Sequence, residues 1–524
     1  MKIITIQEMK DIEAAADAGG LSYAELMKHA GEGVGRWIIA HMQSGGARTV
    51  LGLVGSGNNG GDTLVALTLL AANGWGAVAY LVRPRPAGDP LITDFTKTGG
   101  TLLNGSEDPQ RSKLAAALDG AAVWLDGILG TGTRLPLEAT IADALRFTGK
   151  HLAKRARRPV VVAVDCPSGV DCDSGAAADE TLPADFTLTM AAAKLGLFIF
   201  PAFKYAGQVL PISIGIPEDR GLLGAVKRRV IDDDYVRAML PERRLDAHKG
   251  VFGTALLLVG SQQYTGAALL SGRAAYRVGA GIVTLGVVEP VYRAIAGHLP
   301  EATWMVLPDL DGFVAAGAAE RVLAGLERVD ALLIGCGWGT HEGTHQFLCK
   351  LLSGGGAPLP PMVVDADALR LLSRVAGWES QLPGGSVLTP HPGEMAALTG
   401  MTVDEVQEDR LGLAERSAQG WNQVVVLKGA LTVVANPEGR TAIIPLATPA
   451  LARAGTGDIL AGMITGFIAQ GVDGFTAACA AAYLHGLAGV AAAAAMGNTA
   501  SLLAGEILDC LPGQISRLNK TGGS

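Results

Sequence analysis

Cysteine is scarce and scattered in this chain of 524 residues: Cys166, Cys172, Cys336, Cys349, Cys479 and Cys510, with no CxxC pair among them. Neither a zinc framework nor a disulfide framework is indicated, and free thiols suit a reducing, cytoplasmic setting. Positive charge is also short. Lys and Arg number 42 against 50 Asp and Glu, a net charge of −8, so no basic field advertises nucleic acid. The one dense basic run, Lys154–Arg158, reads as a solvated helix end. The opening MKIITIQEMKDIEAAA lacks the apolar core of a secretory signal. The uncharged run Ala477–Met496 is long enough to tempt a membrane assignment. It is mostly alanine, with His485 and Gly486 in its middle, so a buried helix is expected. No short-period repeat marks a solenoid, and no G-x-S-x-G elbow or Ser-His-Asp order marks a serine hydrolase.

What is present is a core-rich composition, 49% hydrophobic and 18% charged, with 71 glycines. That balance suits α/β architecture with many tight strand-to-helix turns. The length exceeds one ordinary core. Apolar runs at Val50–Val54, Ala77–Val82, Val123–Leu125 and Val160–Val164 alternate with helical stretches such as Thr63–Ala72 and Lys113–Leu118. Alternation of this kind predicts a doubly wound, mainly parallel sheet with its ligand beyond the strands' carboxyl ends. A turn-rich, then charged seam lies between Ile216 and Asp232. A second series follows: Ala255–Val259, Ile282–Val288, Ala331–Ile334, Met362–Val364, Val387–Leu388 and Val424–Leu427. Two domains are expected, 1–220 and 225–524.

The first chemistry-bearing stretch is TVLGLVGSGNNGGDTLVALTLL, Thr49–Leu70. A glycine elbow between strand and helix admits phosphates, and a lone G-x-G-x-x-G says little more. Asn58, Asn59 and Asp62 add amide and carboxylate oxygens. Such oxygens beside backbone carbonyls suit a hard cation, and the shortage of carboxylates favours a weakly hydrated one such as K⁺. GSGNNGGD, DGILGTG and DCPSGVD, with MKDIEAAA and AAAKLGLF, resemble the NAD(P)H-hydrate epimerases over about Met1–Pro217. The resemblance implies a Rossmann-like unit. It assigns K⁺ to Asn59, Asp126 and Ser168. It assigns the hydrated dinucleotide to Asn58, Asn59, Gly60, Gly61 and Asp62, to Gly130, Thr131, Gly132, Thr133, Arg134, Leu135 and Pro136, and to Asp165. Thr63 stands where the family carries glycine, a departure that narrows the loop. Asp165 is the candidate catalytic carboxylate, stabilising positive charge and shuttling a proton; it also reads as a strand-end cap. His41 and His151 fit neither motif.

The second is LARAGTGDILAGMITG, Leu451–Gly466. Gly455, Thr456 and Gly457 precede an apolar helix, and glycine-rich backbone there offers N–H donors to negative charge. Asp458 is placed to deprotonate a hydroxyl attacking a phosphoryl group; an N-capping role is the alternative. The motif resembles the ribokinase-like superfamily. With HKGVFGTALLLVGS, YTGAALLSGRAAYRVGAG, GCGWG, VVDADAL, LTPHPGEM and VVLKGALTVV, the resemblance over about Asp232–Leu518 narrows to ADP- or ATP-dependent NAD(P)H-hydrate dehydratases. It implies hydrate contacts at Ala267, Gly337, His391 and Asp458. Nucleotide contacts fall at Lys428, Gly429, Ala430, Leu431 and Thr432, and at Gly455, Thr456 and Gly457. Glu394 resembles the acid that organises Mg²⁺ water. Asp365 and Asp367 serve either the metal or the next helix's cap. Lys428 also reads as an exposed strand-end lysine, and His391, between two prolines, as a turn histidine. Cys336 in GCGWG replaces a proline-containing form and is expected to shift that loop.

Together the two halves imply repair of hydrated NADH and NADPH: epimerisation of R and S forms, then dehydration of the S form with K⁺, Mg²⁺ and ADP or ATP. The fused arrangement leans towards ADP, with phosphate and AMP as products. Expected partners are these small molecules and a second copy of the chain, with neither nucleic acid nor membrane. Two alternatives stay open, a vitamin-type kinase fused to a Rossmann-like binding module and a non-catalytic scaffold in the first half.

Overall fold

The computed structural model describes residues 1–42, 48–354 and 358–520. Contacts divide the chain into two compact units, Met1–Arg228 and Arg229–Ser524.

The first unit is built on seven strands: β1 (Thr49–Val54), β2 (Gly76–Leu81), β3 (Thr101–Asn104), β4 (Val123–Gly127), β5 (Val160–Val164), β6 (Phe186–Met190) and β7 (Gln208–Ile212). Their order is β3-β2-β1-β4-β5-β6-β7, every neighbouring pair parallel. The first six follow the Rossmann order, whose switch point lies between β1 and β4. Buried on both faces, β1 and β4 read as continuous apolar runs. One core, with Val34, Ile38, Val50 and Leu67, lies on one side; another, with Leu51, Leu53, Trp124 and Leu145, lies on the other. Three helices matter for the site: α1 (Ile6–Ala18), α2 (Tyr23–His41) and α3 (Asn58–Ala72). Capping boxes start α1, with Thr5 and Glu8, and α2, with Ser22 and Glu25. At Gly31, α2 comes so close to α3 that a Cβ would lie 2.5 Å from the Asp62 carbonyl oxygen. That approach fixes the height of Asp62 on α3.

The second unit carries ten strands: β8 (Arg228–Val230), β9 (Thr254–Leu258), β10 (Ile282–Val288), β11 (Thr303–Leu307), β12 (Ala331–Ile334), β13 (Met362–Val364), β14 (Val387–Leu388), β15 (Val424–Leu427), β16 (Val433–Ala435) and β17 (Thr441–Ile443). The order is β8-β17-β16-β15-β14-β13-β12-β9-β10-β11. From β15 to β11 the pairs are parallel; β15-β16 and β16-β17 are antiparallel. The helices used below are α4 (Thr265–Arg277), α5 (Asp367–Leu372), α6 (Pro392–Thr399), α7 (Thr456–Ala469) and α8 (Gly474–Met496). Among the described residues α8 is the one helix long and apolar enough to cross a membrane, and 61% of its most apolar window is buried inside the protein. His485 lies within it, and burial pulls its pKa down to about 4, so the ring is neutral. The Lys154–Arg158 run lies in the turn and loop just beyond the helix Ala139–Leu152, and Arg155 donates to the carbonyls of Leu118 and Asp119.

Candidate active sites

Close approach builds the first elbow. A Cβ on Gly55 would lie 1.9 Å from the Ile128 carbonyl oxygen, and one on Gly60 2.1 Å from that of Gly55. A side chain on Gly55 would drive the end of β1 from the loop after β4, and one on Gly60 would drive α3 from the end of β1. Arg85 braces the turn, donating to the carbonyls of Gly55 and Gly57 at 2.9 and 3.0 Å while Asp89 holds it at 2.7 Å. Arg85 escaped the sequence reading because an isolated arginine in a loop belongs to no motif.

A cavity of about 500 Å³ opens beside the elbow. Asn58, Asn59 and Asp62 line it from α3, Gly130, Thr131 and Gly132 from the loop after β4, and Asp165 from the end of β5. Lys10 and Glu13 of α1, Ser56, Arg83 and Lys194 complete the polar wall. The three expected loops therefore meet, but the set of contacts narrows. Gly60 and Gly61 are packing glycines, the latter against Met27, and do not line the cavity. Thr133 is turned inward and donates to the Gly130 carbonyl at 2.9 Å, while Arg134, Leu135 and Pro136 are exposed outside the wall. Thr63 does not narrow the loop. Fully buried, it donates to the Asn59 carbonyl at 2.8 Å and occupies the space that Gly127 leaves.

Two carboxylates in this cavity have opposite surroundings. Asp165, held at φ 67° just past β5, accepts from Lys194 Nζ at 2.6 Å, Met190 N at 3.1 Å and Thr189 Oγ1 at 3.3 Å. Lys194 is fully buried and also donates to the Met190 carbonyl at 3.0 Å. Asp62, 9% exposed, takes no hydrogen bond from the described residues. Burial, then the carboxylates of Asp165 and Glu13, push its pKa well above the usual carboxylate range. Glu13 is raised as well, chiefly by burial.

Asn59, Asp126 and Ser168 converge on Leu129. Asn59 Nδ2 donates to its carbonyl at 2.8 Å, and its N–H donates to Ser168 Oγ at 2.9 Å. Ser168 in turn donates to Asp126 through its N–H at 2.8 Å and its hydroxyl at 2.5 Å. Asn59 Oδ1 is buried without a partner. An orphaned amide oxygen together with a carboxylate, a hydroxyl and a main-chain carbonyl is an oxygen set that fits K⁺.

In the second unit α7 opens at Gly455, whose φ of 91° glycine alone adopts freely. The N–H groups of Gly455, Gly457 and Asp458 meet no acceptor among the described residues, so α7 presents bare donors at its positive end. Thr456 is tied down, donating to the Leu451 and Arg453 carbonyls at 2.9 and 2.8 Å. Burial raises the Asp458 pKa to about 6; Asp365 adds to the rise, while Cys336 and Lys428 oppose it.

Lys428, expected as a free phosphate contact, is pinned instead. Its Nζ donates to Asp365 Oδ1 at 2.6 Å and lies 3.7 Å from Glu394 Oε2. Burial disfavours its charge, but Asp365 and Glu394 outweigh this and hold the pKa up at about 12. A Cβ on Gly457 would lie 3.7 Å from that Nζ, so the ion pair abuts the start of α7. In the following turn Gly429 and Ala430 are exposed, Leu431 takes φ 58°, and Thr432 Oγ1 donates to the Gly429 carbonyl at 2.9 Å. Arg410, absent from the sequence reading, supports the turn by donating to the Leu427 and Lys428 carbonyls at 3.0 and 3.2 Å. Burial brings its pKa down to about 10.

Ala267 on α4 and Gly337 are neighbours: a Cβ on Gly337 would lie 2.8 Å from the Ala267 methyl. Cys336 packs into the core. It is fully buried, its Sγ 3.6 Å from Asp365 Oδ2, and its carbonyl accepts from Gly260 N at 2.7 Å. Neither aspartate caps α5, whose N-cap is Ala366. Asp365 holds Lys428, and Asp367 accepts from Gly339 N at 2.8 Å. His391 caps α6. Its Nδ1 accepts from the N–H groups of Gly393 and Glu394, and its own N–H donates to Glu394 Oε2 at 2.8 Å. Its Nε2 lies 3.2 Å from Glu394 Oε1. With both Glu394 oxygens engaged by His391 and Lys428, a directly ligated Mg²⁺ does not fit there. Among the described residues no group of three or more His, Cys, Asp or Glu is arranged for a metal.

A Rossmann-ordered sheet in one unit, and in the other a mixed sheet feeding an aspartate at a glycine-opened helix, define the class: a fused, two-part α/β enzyme of nucleotide chemistry. The comparisons carry this further. The family profile for NAD(P)H-hydrate dehydratase matches residues 255–512, and that for the YjeF-related protein N-terminus matches residues 23–196. The bifunctional NAD(P)H-hydrate repair enzyme Nnr of Moorella thermoacetica is 36% identical over 98% of this chain and 96% of its own length. That of Salinibacter ruber is 34% identical over 94% and 92%. Among solved structures, the ADP/ATP-dependent NAD(P)H-hydrate dehydratase of Bacillus subtilis, co-crystallised with ATP/Mg²⁺, is 36% identical, covering 55% of this chain and 98% of its own, with a TM-score of 0.48. The chain belongs to the family of bifunctional NAD(P)H-hydrate repair enzymes, with an epimerase unit followed by a nucleotide-dependent dehydratase unit.

Proposed function

We propose that the first unit interconverts the R and S epimers of hydrated NADH and NADPH, and that the second uses ADP or ATP to dehydrate the S form. Phosphate is released, with AMP when ADP is the donor. The observation that carries this reading is that both units set an acid outside any ion pair, Asp62 or Asp458, beside one pinned by lysine, Asp165 or Asp365, at a glycine-opened helix.

In the second unit the difficulty is that hydroxide leaves poorly. Asp458 takes the proton of the ring hydroxyl as its oxygen attacks the terminal phosphoryl group. The bare N–H groups of Gly455, Gly457 and Asp458 hold the phosphoryl oxygens as charge moves across them. Phosphate then leaves as the ring nitrogen pushes electrons in, and the cation so formed loses a proton from the adjacent ring carbon to give the reduced cofactor. Ala267 and Gly337, both small, let the ring approach. Lys428, charged and held by Asp365, keeps positive charge at the same helix start. A fixed base reaches one face of the carbon, so one epimer reacts, and the first unit supplies it from the other.

In the first unit, Asp165 and Asp62 face the carbinolamine carbon, and Asp165 stabilises its positive charge. Asn59, Asp126 and Ser168 would hold K⁺, which when bound adds fixed positive charge beside the Gly130 loop. A mixture of both hydrate epimers, given to the protein with ADP or ATP, is expected to regain the full absorbance of the reduced cofactor. Recovery of only the S fraction would contradict the first unit's activity, and no recovery would contradict the second's.

A further inference from the structure

Resting on the epimerase reading, a division of labour between the two carboxylates of the first cavity can be drawn. Asp165 was the candidate for moving the proton. Its Oδ1 is instead engaged by Lys194 Nζ, Met190 N and Thr189 Oγ1, and a carboxylate whose charge is balanced by a buried ammonium is a poor proton carrier. Asp62 lines the same cavity, is more than nine-tenths buried, and accepts nothing from the described residues. It is the fifth residue of α3, beyond the first turn, where the helix start stabilises negative charge little. The charged groups facing it are Glu13 from α1, Asp165 and Lys194 from the β5 and β6 side, and Arg85 from the loop after β2; Lys10 of α1 and Arg83 line the same cavity. Arg85 is already paired with Asp89 at 2.7 Å, and Lys194 with Asp165. Burial, then two neighbouring acids, push the Asp62 carboxyl towards its protonated form. A carboxyl so placed beside one held by an ammonium is an arrangement of an acid and a charge-balancing group.

We propose that Asp62 is the catalytic acid of epimerisation, giving its proton to the departing hydroxyl, while the Lys194-held Asp165 carboxylate balances the cation that forms. The hydroxyl oxygen takes the Asp62 proton, the carbon–oxygen bond breaks, and water is formed. The ring nitrogen's lone pair closes a carbon–nitrogen double bond, leaving a planar cation. Water adds to the other face, and its surplus proton returns to Asp62, directly or through Glu13 in the same wall. Atoms and charge balance, and no further reagent is consumed.

The test uses the full-length protein and the purified R hydrate without nucleotide, with the epimers separated by chromatography over time. Asp62→Asn is expected to lower kcat for epimerisation above background by about 10²–10⁴-fold, with KM little changed. Asp62→Glu is expected to restore part of the rate, and Glu13→Gln to lose far less than Asp62→Asn. Each preparation is also given the S hydrate with nucleotide; undiminished dehydration shows that the chain is folded and active in its second unit. Asp62→Asn epimerising at the wild-type rate overturns the proposal and leaves the epimerase reading intact. Wild-type protein that does not epimerise at all overturns the reading itself. Loss confined to KM makes Asp62 a binding contact and also overturns the proposal.

Discussion

In the first unit Lys194 holds Asp165 at 2.6 Å and leaves Asp62 unpaired; in the second Lys428 holds Asp365 at 2.6 Å and leaves Asp458 outside any ion pair. The two sites share this arrangement on unrelated sheets. They differ in where the free acid sits. Asp458 is the third residue of α7, within reach of bare N–H groups, and its pKa rises only to about 6. Asp62 is the fifth residue of α3, among acids, and its pKa rises well above the carboxylate range. Burial raises both carboxyls, and Asp165 and Glu13 press Asp62 further towards its protonated form. Asp458 suits a base priming an alcohol, Asp62 an acid releasing water.

The comparison breaks most readily at Asp458. Asp458→Asn should lower nucleotide-dependent dehydration by about 10²–10⁴-fold and leave epimerisation unchanged, read by cofactor absorbance and epimer chromatography; equal loss of both would mean the sites are not independent. The lysine pins come next. Lys194→Met strands a buried carboxylate and should cost the first unit about 3–5 kcal/mol in chemical denaturation, and the added change Asp165→Asn should recover much of it. The base role of Asp458 should also show in pH. A group raised to about 6 is deprotonated above that value, so kcat/KM for dehydration should be flat above it and fall about tenfold per pH unit below it. The smallest effect concerns Thr63, which packs against Gly127 away from the cavity. Thr63→Gly should cost about 1 kcal/mol of stability without changing the hydrate KM.

Much of this was legible in the sequence because the chemistry is local. The runs forming β1, β10, β12 and β15 are continuous and apolar, as strands buried on both faces must be. Strands such as β6, with Thr187 and Thr189, and β16 and β17, three residues each, are too broken or too short to stand out and stayed hidden. The glycine elbows, and the Asp458 turn after Gly455, announce themselves within eight residues. What remained invisible was partnership at long range. Lys194 meets an acid 29 residues earlier and Lys428 one 63 residues earlier, and no local pattern marks either. For the same reason the close packing at Gly60 and Gly61 was not foreseen: only the fold shows the atoms that a side chain there would strike.

The central claim is that the two free acids work in opposite ionisation states, and one pH series on a single preparation tests it. Between about pH 5 and pH 8, epimerisation above background and nucleotide-dependent dehydration are measured side by side. The account predicts that dehydration rises through about pH 6 and holds, while epimerisation is sustained at low pH and declines as Asp62 loses its proton. Epimerisation that instead rises with pH alongside dehydration would contradict it.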